Sequence, residues 1–438
     1  MAEHLWGGET TKAVDNFPIS GERVPVSVVH WLARIKGAAA AVNSELGLLD
    51  ARRAAQIEKA AAQIADGRHD EQFPIDVFQT GSGTSTNMNA NEVIASLAGR
   101  EVHPNDHVNM GQSSNDVFPS AVHLAALDEA SNQLLPAMSR LERVLSSKAR
   151  RFDGVVKAGR THLMDAVPVT LGQELCSYAA QVRLGRARIS DTLPRVAQIP
   201  LGGTATGTGL NTHPKFAVKV RQRLRRESKL KVDAPEDAFE AQANRDALVE
   251  LSGALKVVAV SLTKISQDLA LMGSGPRAGI GELLLPELQK GSSIMPGKVN
   301  PVIPEVVMQV AAQVIGNDTA ITIGGMQGQF ELNVRIPLIA RNLLQSIHLL
   351  TSACTVLNEK CVADLKPSRT GCEHSAESTL AIATALNPYI GYDRATELVQ
   401  EATRSGRPLR DVAREAGVED EVLDEALDLR RIAAGNAA

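Results

Sequence analysis

The chain has 438 residues, enough for two or three domains around a large buried core. Its formal net charge is only −4, and its Lys and Arg are spread along the sequence, so no global field points to nucleic acid or to an anionic membrane as partner. The four cysteines, Cys176, Cys354, Cys361 and Cys372, form neither a CxxC pair nor a His-flanked spacing, which argues against a zinc site.

Met1–Ser20 carries no apolar run and no Arg-rich character, and no apolar segment of spanning length follows. The expectation is a cytoplasmic protein without a membrane anchor. Aromatics make up 3% of the chain while Ala, Leu and Val abound, a composition suited to closely packed helices.

Up to about residue 119 the sequence reads as short helices broken by polar loops. Gly81-Ser82-Gly83-Thr84-Ser85-Thr86-Asn87 leads into a helical stretch starting near Asn89. A hydroxyl-rich turn at a helix start can offer donors to an anion, but taken alone a plain N-cap with a flexible lead-in is the better reading. No Gly-Lys-Ser/Thr follows, so it is not a nucleotide P-loop. His103, Asn105 and Asp106 flank Pro104, where an ordinary turn is the default. Gln112-Ser113-Ser114-Asn115-Asp116 stands before a long helix and allows the same two readings as the first cluster.

Residues 120–369 carry the long rods. Leu134, Met138, Leu141 and Leu145 share one helical face. Gly159-Arg160-Thr161-His162 precedes a helix expected to open at Pro168, and a lone His there reads as structural unless a polarising partner meets it. The glycines of Gly202 to Gly209 miss the GxGxxG register and follow no strand, which leaves a structural connection. Leu248, Leu251, Leu255, Val258, Leu262, Ile265, Leu269 and Met272 keep a strict 3-4 alternation, as do Leu343, Ile347, Leu350, Cys354 and Leu357. Cys354 and Cys361, one heptad apart, are expected on one buried face. Such rods expose more apolar seam than one chain covers, so association is expected. Residues 370–438 form a smaller, charged segment of shorter helices.

Between two rods lies Gly291-Ser292-Ser293-Ile294-Met295-Pro296-Gly297-Lys298-Val299-Asn300-Pro301. Two glycines and two prolines forbid regular structure here, while two hydroxyls, an ammonium and an amide crowd together. Glu305 follows seven residues after Lys298, near the start of the next helix, and is a candidate to polarise an imidazole, although the sequence does not show that it meets His162. The clusters together offer many neutral donors and one Lys, with neither a metal set nor an acyl-transfer triad. That inventory suits a small dicarboxylate and chemistry that builds charge on a carboxylate.

The Gly291–Pro301 loop resembles the shared motif of the fumarase/aspartase superfamily. Phe78–Thr84, His103–Asp106, Gln112–Pro119, Gly159–His162, Leu201–Ala205 and Phe330–Val334 extend the likeness over the full length, nearest to its class II fumarase branch. The resemblance implies a mainly α, three-domain fold with a central long-helix bundle, divided at 1–119, 120–369 and 370–438. It also implies a homotetramer with a twenty-helix core and active sites shared by three subunits.

Carried over residue by residue, it makes Ser292 the carbon base, acting as an alkoxide stabilised by Lys298 and Asn300, with His162 and Glu305 on the water side. Ser82, Gly83, Thr84, Ser113, Ser114, Asn115, Thr161, Ser293, Lys298, Val299 and Asn300 would bind substrate. Arg100, His103, Pro104, Asn105 and Asp106 would form a second dicarboxylate site. The implied activity is reversible hydration of fumarate to L-malate in the citric acid cycle, without metal or cofactor.

Two departures stand out. The chain starts about a dozen residues short of the family's usual beginning. Val302-Ile303-Pro304-Glu305 reads as aspartase-like, while Gly297 and Asp116-Val117-Phe118-Pro119 read as fumarase-like. An aspartate ammonia-lyase is therefore the alternative on the same scaffold. A catalytically silent relative of the lens-crystallin kind is the third reading, and joint retention of Ser292, His162, Lys298 and Glu305 speaks against it.

Overall fold

The computed structural model describes residues 4–435; the start at Met1–Glu3 lies outside the described residues. The chain divides into two compact units. One comprises the described residues through Pro136, Gly185–Ala259 and Val310–Ser352, the other Ala137–Leu184, Val260–Gln309 and the described residues from Ala353 on.

In the first unit, the Val26–Glu45 helix is buried on nearly every side, from Val28 and Leu32 through Ile35 to the run Ala38–Val42. Small side chains make this possible. Gly37 brings the Ala51–Ala65 helix so near that an added Cβ would lie 3.3 Å from the Ala61 Cβ. That second helix starts at Asp50, whose carboxylate accepts the Arg53 amide, and it buries Ile57 and Ile64, each worth about 1.5–3 kcal/mol. The Thr84–Ala98 helix joins them in an apolar cluster whose buried members run from Val29 to Val108, with Leu5 and Trp6 packed against it.

The three expected rods are present as helices Leu135–Arg151, Asp246–Met272 and Ile336–Lys360, and a further long helix spans Val302–Gly325. All eight heptad residues from Leu248 to Met272 are buried, as are the five from Leu343 to Leu357. Cys361 is buried too, one residue past the end of its helix. Polar layers punctuate the packing. Asp318 accepts from Ser252 at 2.7 Å and Lys256 at 2.6 Å, and Asn317 donates to Gln345 and Ser346. The Val302–Gly325 helix is long and apolar enough to span a membrane by length and composition, and only a third of its most apolar window is buried.

The second unit holds a hairpin that the sequence does not announce. β1 (Val156–Thr161) pairs antiparallel with β2 (Met164–Thr170). The helix expected at Pro168 opens instead at Leu171. Pro168 lies inside β2, opposite Ala158 and beside a register shift at Gly159, where an added Cβ would meet the Val167 carbonyl at 2.5 Å. An irregular ladder tolerates the missing N–H of proline.

Buried ion pairs anchor the hairpin. Glu282, fully buried, receives Arg160 at 2.9 and 3.0 Å, Lys157 at 3.1 Å and the Ser375 hydroxyl at 2.7 Å. Farther along, Leu386, Leu398, Leu409, Val412 and Leu423 close a separate C-terminal apolar cluster.

Candidate active site

The Ser82–Thr84 cluster sits at a helix start, five residues earlier than the sequence suggests. Gly83 adopts φ +76°, a left-handed turn with the Phe118 ring where a Cβ would be, and the helix begins at Thr84. Two first-turn amides are already occupied: Ser85 N–H donates to Thr80 Oγ1 and Thr86 N–H to Gln79 Oε1. The side-chain donors here are the Ser82 and Thr84 hydroxyls, which bond each other at 2.7 Å.

Ser113 caps the Ser114–Glu129 helix in a reciprocal box with Asp116. Asp116 is fully buried and also accepts the amides of Gly202 and Thr204 at 2.9 and 3.1 Å. Burial pushes its carboxyl up to about 6 against the pull of those donors. Asn115 donates to the Ala205 carbonyl at 2.9 Å. The glycine-rich 202–209 stretch is thus a strap tied to the helix start, and Gly203 leaves no room for a Cβ against Gln242 Oε1.

Beneath lies a residue that sequence reading passes over. Lys36 is fully buried, its ammonium 3.2 Å from Asn109 Oδ1 and 3.3 Å from Gln112 Oε1. Burial lowers its pKa to about 7, opposed by Asp116. The available signal was negative: its neighbours Ile35, Gly37 and Ala38 leave it no polar face.

Arg100, His103, Pro104, Asn105 and Asp106 gather at one turn. Pro104–Val108 forms a short π-helical turn, His103 Nδ1 accepting the Asp106 amide at 3.1 Å, and all but Pro104 are exposed.

In the second unit, His162 and Leu163 form the two-residue tip of the hairpin, with φ of 56° and 61°. Paired left-handed residues match a type I′ turn, usually filled by Asn-Gly. Thr161 and His162 are exposed, and His162 lines a cavity of about 400 Å³ with Lys157, Arg160, Glu174, Tyr178 and Asp268. Among the described residues no hydrogen bond or ion pair joins His162 to Glu305, which is exposed in the first turn of the Val302–Gly325 helix.

The Gly291–Pro301 loop is pinned at its neck. Gly291 N–H donates to the Lys298 carbonyl at 3.0 Å, and Asn300 Nδ2 donates to the Gly291 carbonyl at 2.8 Å. Within it, Ser292 Oγ accepts two backbone amides, Ile294 and Met295, each at 3.2 Å. Ser293, Lys298 and Val299 are exposed, and Asn300 is half-buried.

A mainly helical scaffold presenting capped serine clusters and a pinned Gly/Pro loop defines a lyase of the elimination type. The chain belongs to that lyase family: a family model described as "Lyase" matches residues 1–316, and one described as "Fumarase C C-terminus" matches 382–434. It is 52% identical over 442 aligned positions to a class II fumarate hydratase of Corynebacterium glutamicum, covering 99% of this chain and 93% of the relative. A class II fumarate hydratase of Mycobacterium tuberculosis is also 52% identical, over 434 positions covering 98% and 92%. The crystal structure of a class II fumarase from Schistosoma mansoni superposes with a TM-score of 0.96 at 39% identity, covering 99% of this chain and 96% of that one.

Proposed function

We propose that this protein is a fumarate hydratase, interconverting fumarate and L-malate. The observation that carries the reading is Ser292 Oγ held by two backbone amides. A hydroxyl oxygen that accepts two N–H bonds has its lone pairs stabilised as negative charge builds, which is what an alkoxide base requires. Lys298, nearby in sequence and unpaired among the described residues, adds positive charge.

In the dehydration of L-malate to fumarate, Ser292 takes a proton from the methylene carbon next to a carboxylate. The electron pair spreads into that carboxylate, then returns to form the double bond as the hydroxyl leaves. The water side, His162 with Glu305, supplies the proton that makes the leaving group water. Hydration runs the same steps backward. Ser82, Gly83, Thr84, Ser113, Ser114, Asn115, Thr161, Ser293, Val299 and Asn300 hold the two carboxylates in this reading.

His162 and Glu305 have no bond within one chain, which supports sites completed by other subunits of a homotetramer. So do the half-exposed Val260, Val306 and Ile323 on the long helices. The separate apolar clusters of residues 29–108 and 382–427 support the three-part division at 119 and 369. The exposed Arg100, His103 and Asn105 side chains can donate to an anion and support Arg100, His103, Pro104, Asn105 and Asp106 as a peripheral dicarboxylate site, the Asp106 carboxylate being the like charge in it. The reading places the enzyme in the cytoplasm.

The test offers purified protein L-malate and, separately, L-aspartate, and follows fumarate by ultraviolet absorbance. Fumarate from malate alone is expected. Fumarate from aspartate alone would overturn the proposal in favour of an ammonia-lyase.

A further inference from the structure

The hydrogen bonds under Ser114 have a direction, and its origin can be traced. Asn109 Nδ2 donates to the Gln112 carbonyl at 3.2 Å, and Gln112 Nε2 donates to the carbonyls of Val108 and Met110 at 3.0 and 3.3 Å. Carbonyls only accept, so both side-chain amides turn their oxygens toward Lys36, which only donates. Asn109 Oδ1 then also accepts Asn87 Nδ2 at 3.3 Å, and that same nitrogen donates to Ser114 Oγ at 3.0 Å.

Ser114 is left with its proton to give away. The opposite rotamer of Asn87 would set its Oδ1 against Asn109 Oδ1, two acceptors face to face. The chain instead leaves Asn87 Oδ1 buried without a partner, although flipping would let it take the Ser114 proton.

We propose that Lys36 is a positioning residue: together with the backbone carbonyls of Val108, Met110 and Gln112 it holds the polarity of the Asn109–Asn87–Ser114 chain so that Ser114 meets the substrate carboxylate as a hydrogen-bond donor. The proposal rests on Ser114 as a carboxylate contact in the function above. It does not depend on the charge of Lys36, because a neutral amine still has N–H groups for both acceptors. Asp116, fully buried and electrostatically coupled to Lys36, stays tied to the amides of Ser113, Gly202 and Thr204 throughout.

The experiment is a double-mutant cycle read by calorimetric binding of succinate, an unreactive dicarboxylate, to the purified full-length protein. Lys36→Met and Ser114→Ala are each expected to weaken binding about tenfold, and the double variant about tenfold rather than a hundredfold. In turnover, Lys36→Met raises KM about tenfold with kcat within about twofold, the pattern of lost uniform binding. A merely structural lysine would lower the active fraction, and so kcat, with KM unchanged.

Asn109→Leu keeps the lysine and breaks the chain one step on, and must show the same coupling to Ser114. Multiplicative effects in either cycle overturn the proposal. Wild-type protein that hydrates fumarate with no such coupling sinks only this inference. Coupled succinate binding without hydratase activity sinks the functional reading and leaves the polarity of the chain standing.

Discussion

Around Ser114 the buried polar side chains are tied into a network, although Asn87 Oδ1 and Thr204 Oγ1 have no partner: Asp116 accepts three amides, Asn115 holds a carbonyl of the glycine-rich strap, and Lys36 locks two side-chain amides. Around Ser292 the loop is pinned only at Gly291, Lys298 and Asn300, and Ser293 through Val299 are exposed. Both regions present serine hydroxyls, yet one is a buried lattice of fixed donors and the other a short arm with a single prepared oxygen. Binding charge needs donors that do not reorient. Removing a proton needs an oxygen whose charge is stabilised where it forms.

The comparison can be broken hardest at Ser292. Ser292→Ala is expected to lower kcat by about 10³-fold or more while the melting temperature stays put, since the hydroxyl bonds only loop amides; steady-state assay and thermal circular dichroism check both halves. Gly291→Ala comes next. Its Cβ would fall 2.2 Å from the Lys298 carbonyl, so the neck opens and kcat drops by about 10²-fold, again with little change in melting.

The matching change on the cradle side is Gly81→Ala, whose Cβ would overlap the backbone at Val334. There the cost is stability, about 3 kcal/mol by denaturant titration, with the loop untouched. A fall in kcat without a fall in stability at Gly81 would erase the distinction.

The smallest effect sharpens the same point in the first unit's core. His123 is buried, its Nδ1 donating to the Val196 carbonyl at 2.9 Å. Burial, then Arg245, lowers its pKa to about 3. Between that value and 6.5 the unfolded chain binds a proton that the native state refuses, so stability falls as pH falls through this window. His123→Gln should flatten that slope by on the order of 1–2 kcal/mol between pH 6.5 and 5, seen in paired denaturant titrations.

The rods and the polar clusters were legible because each is local. Heptad spacing puts Leu248 to Met272 on one face whatever surrounds it, and the clusters resemble a known family block by block. The hairpin was not, because Gly159 and Pro168 break the alternation that marks a strand, and Pro168 followed by Leu171 imitates a helix start. Lys36 was missed because its partners lie 73 and 76 residues away, and an isolated lysine in an alanine-rich helix reads as a solvent-facing residue. The His123–Val196 contact, 73 residues apart, escaped for the same reason.

The hairpin tip carries a last consequence, for anyone selecting improved versions of this protein. His162 and Leu163 both hold left-handed backbone angles that Asn-Gly would adopt with less strain. With His162 on the water side as proposed, a screen that rewards heat resistance alone would favour replacing the imidazole, and its winners would be sturdy and inert. Selection at this position has to be scored on turnover, because here endurance and chemistry pull the sequence in opposite directions.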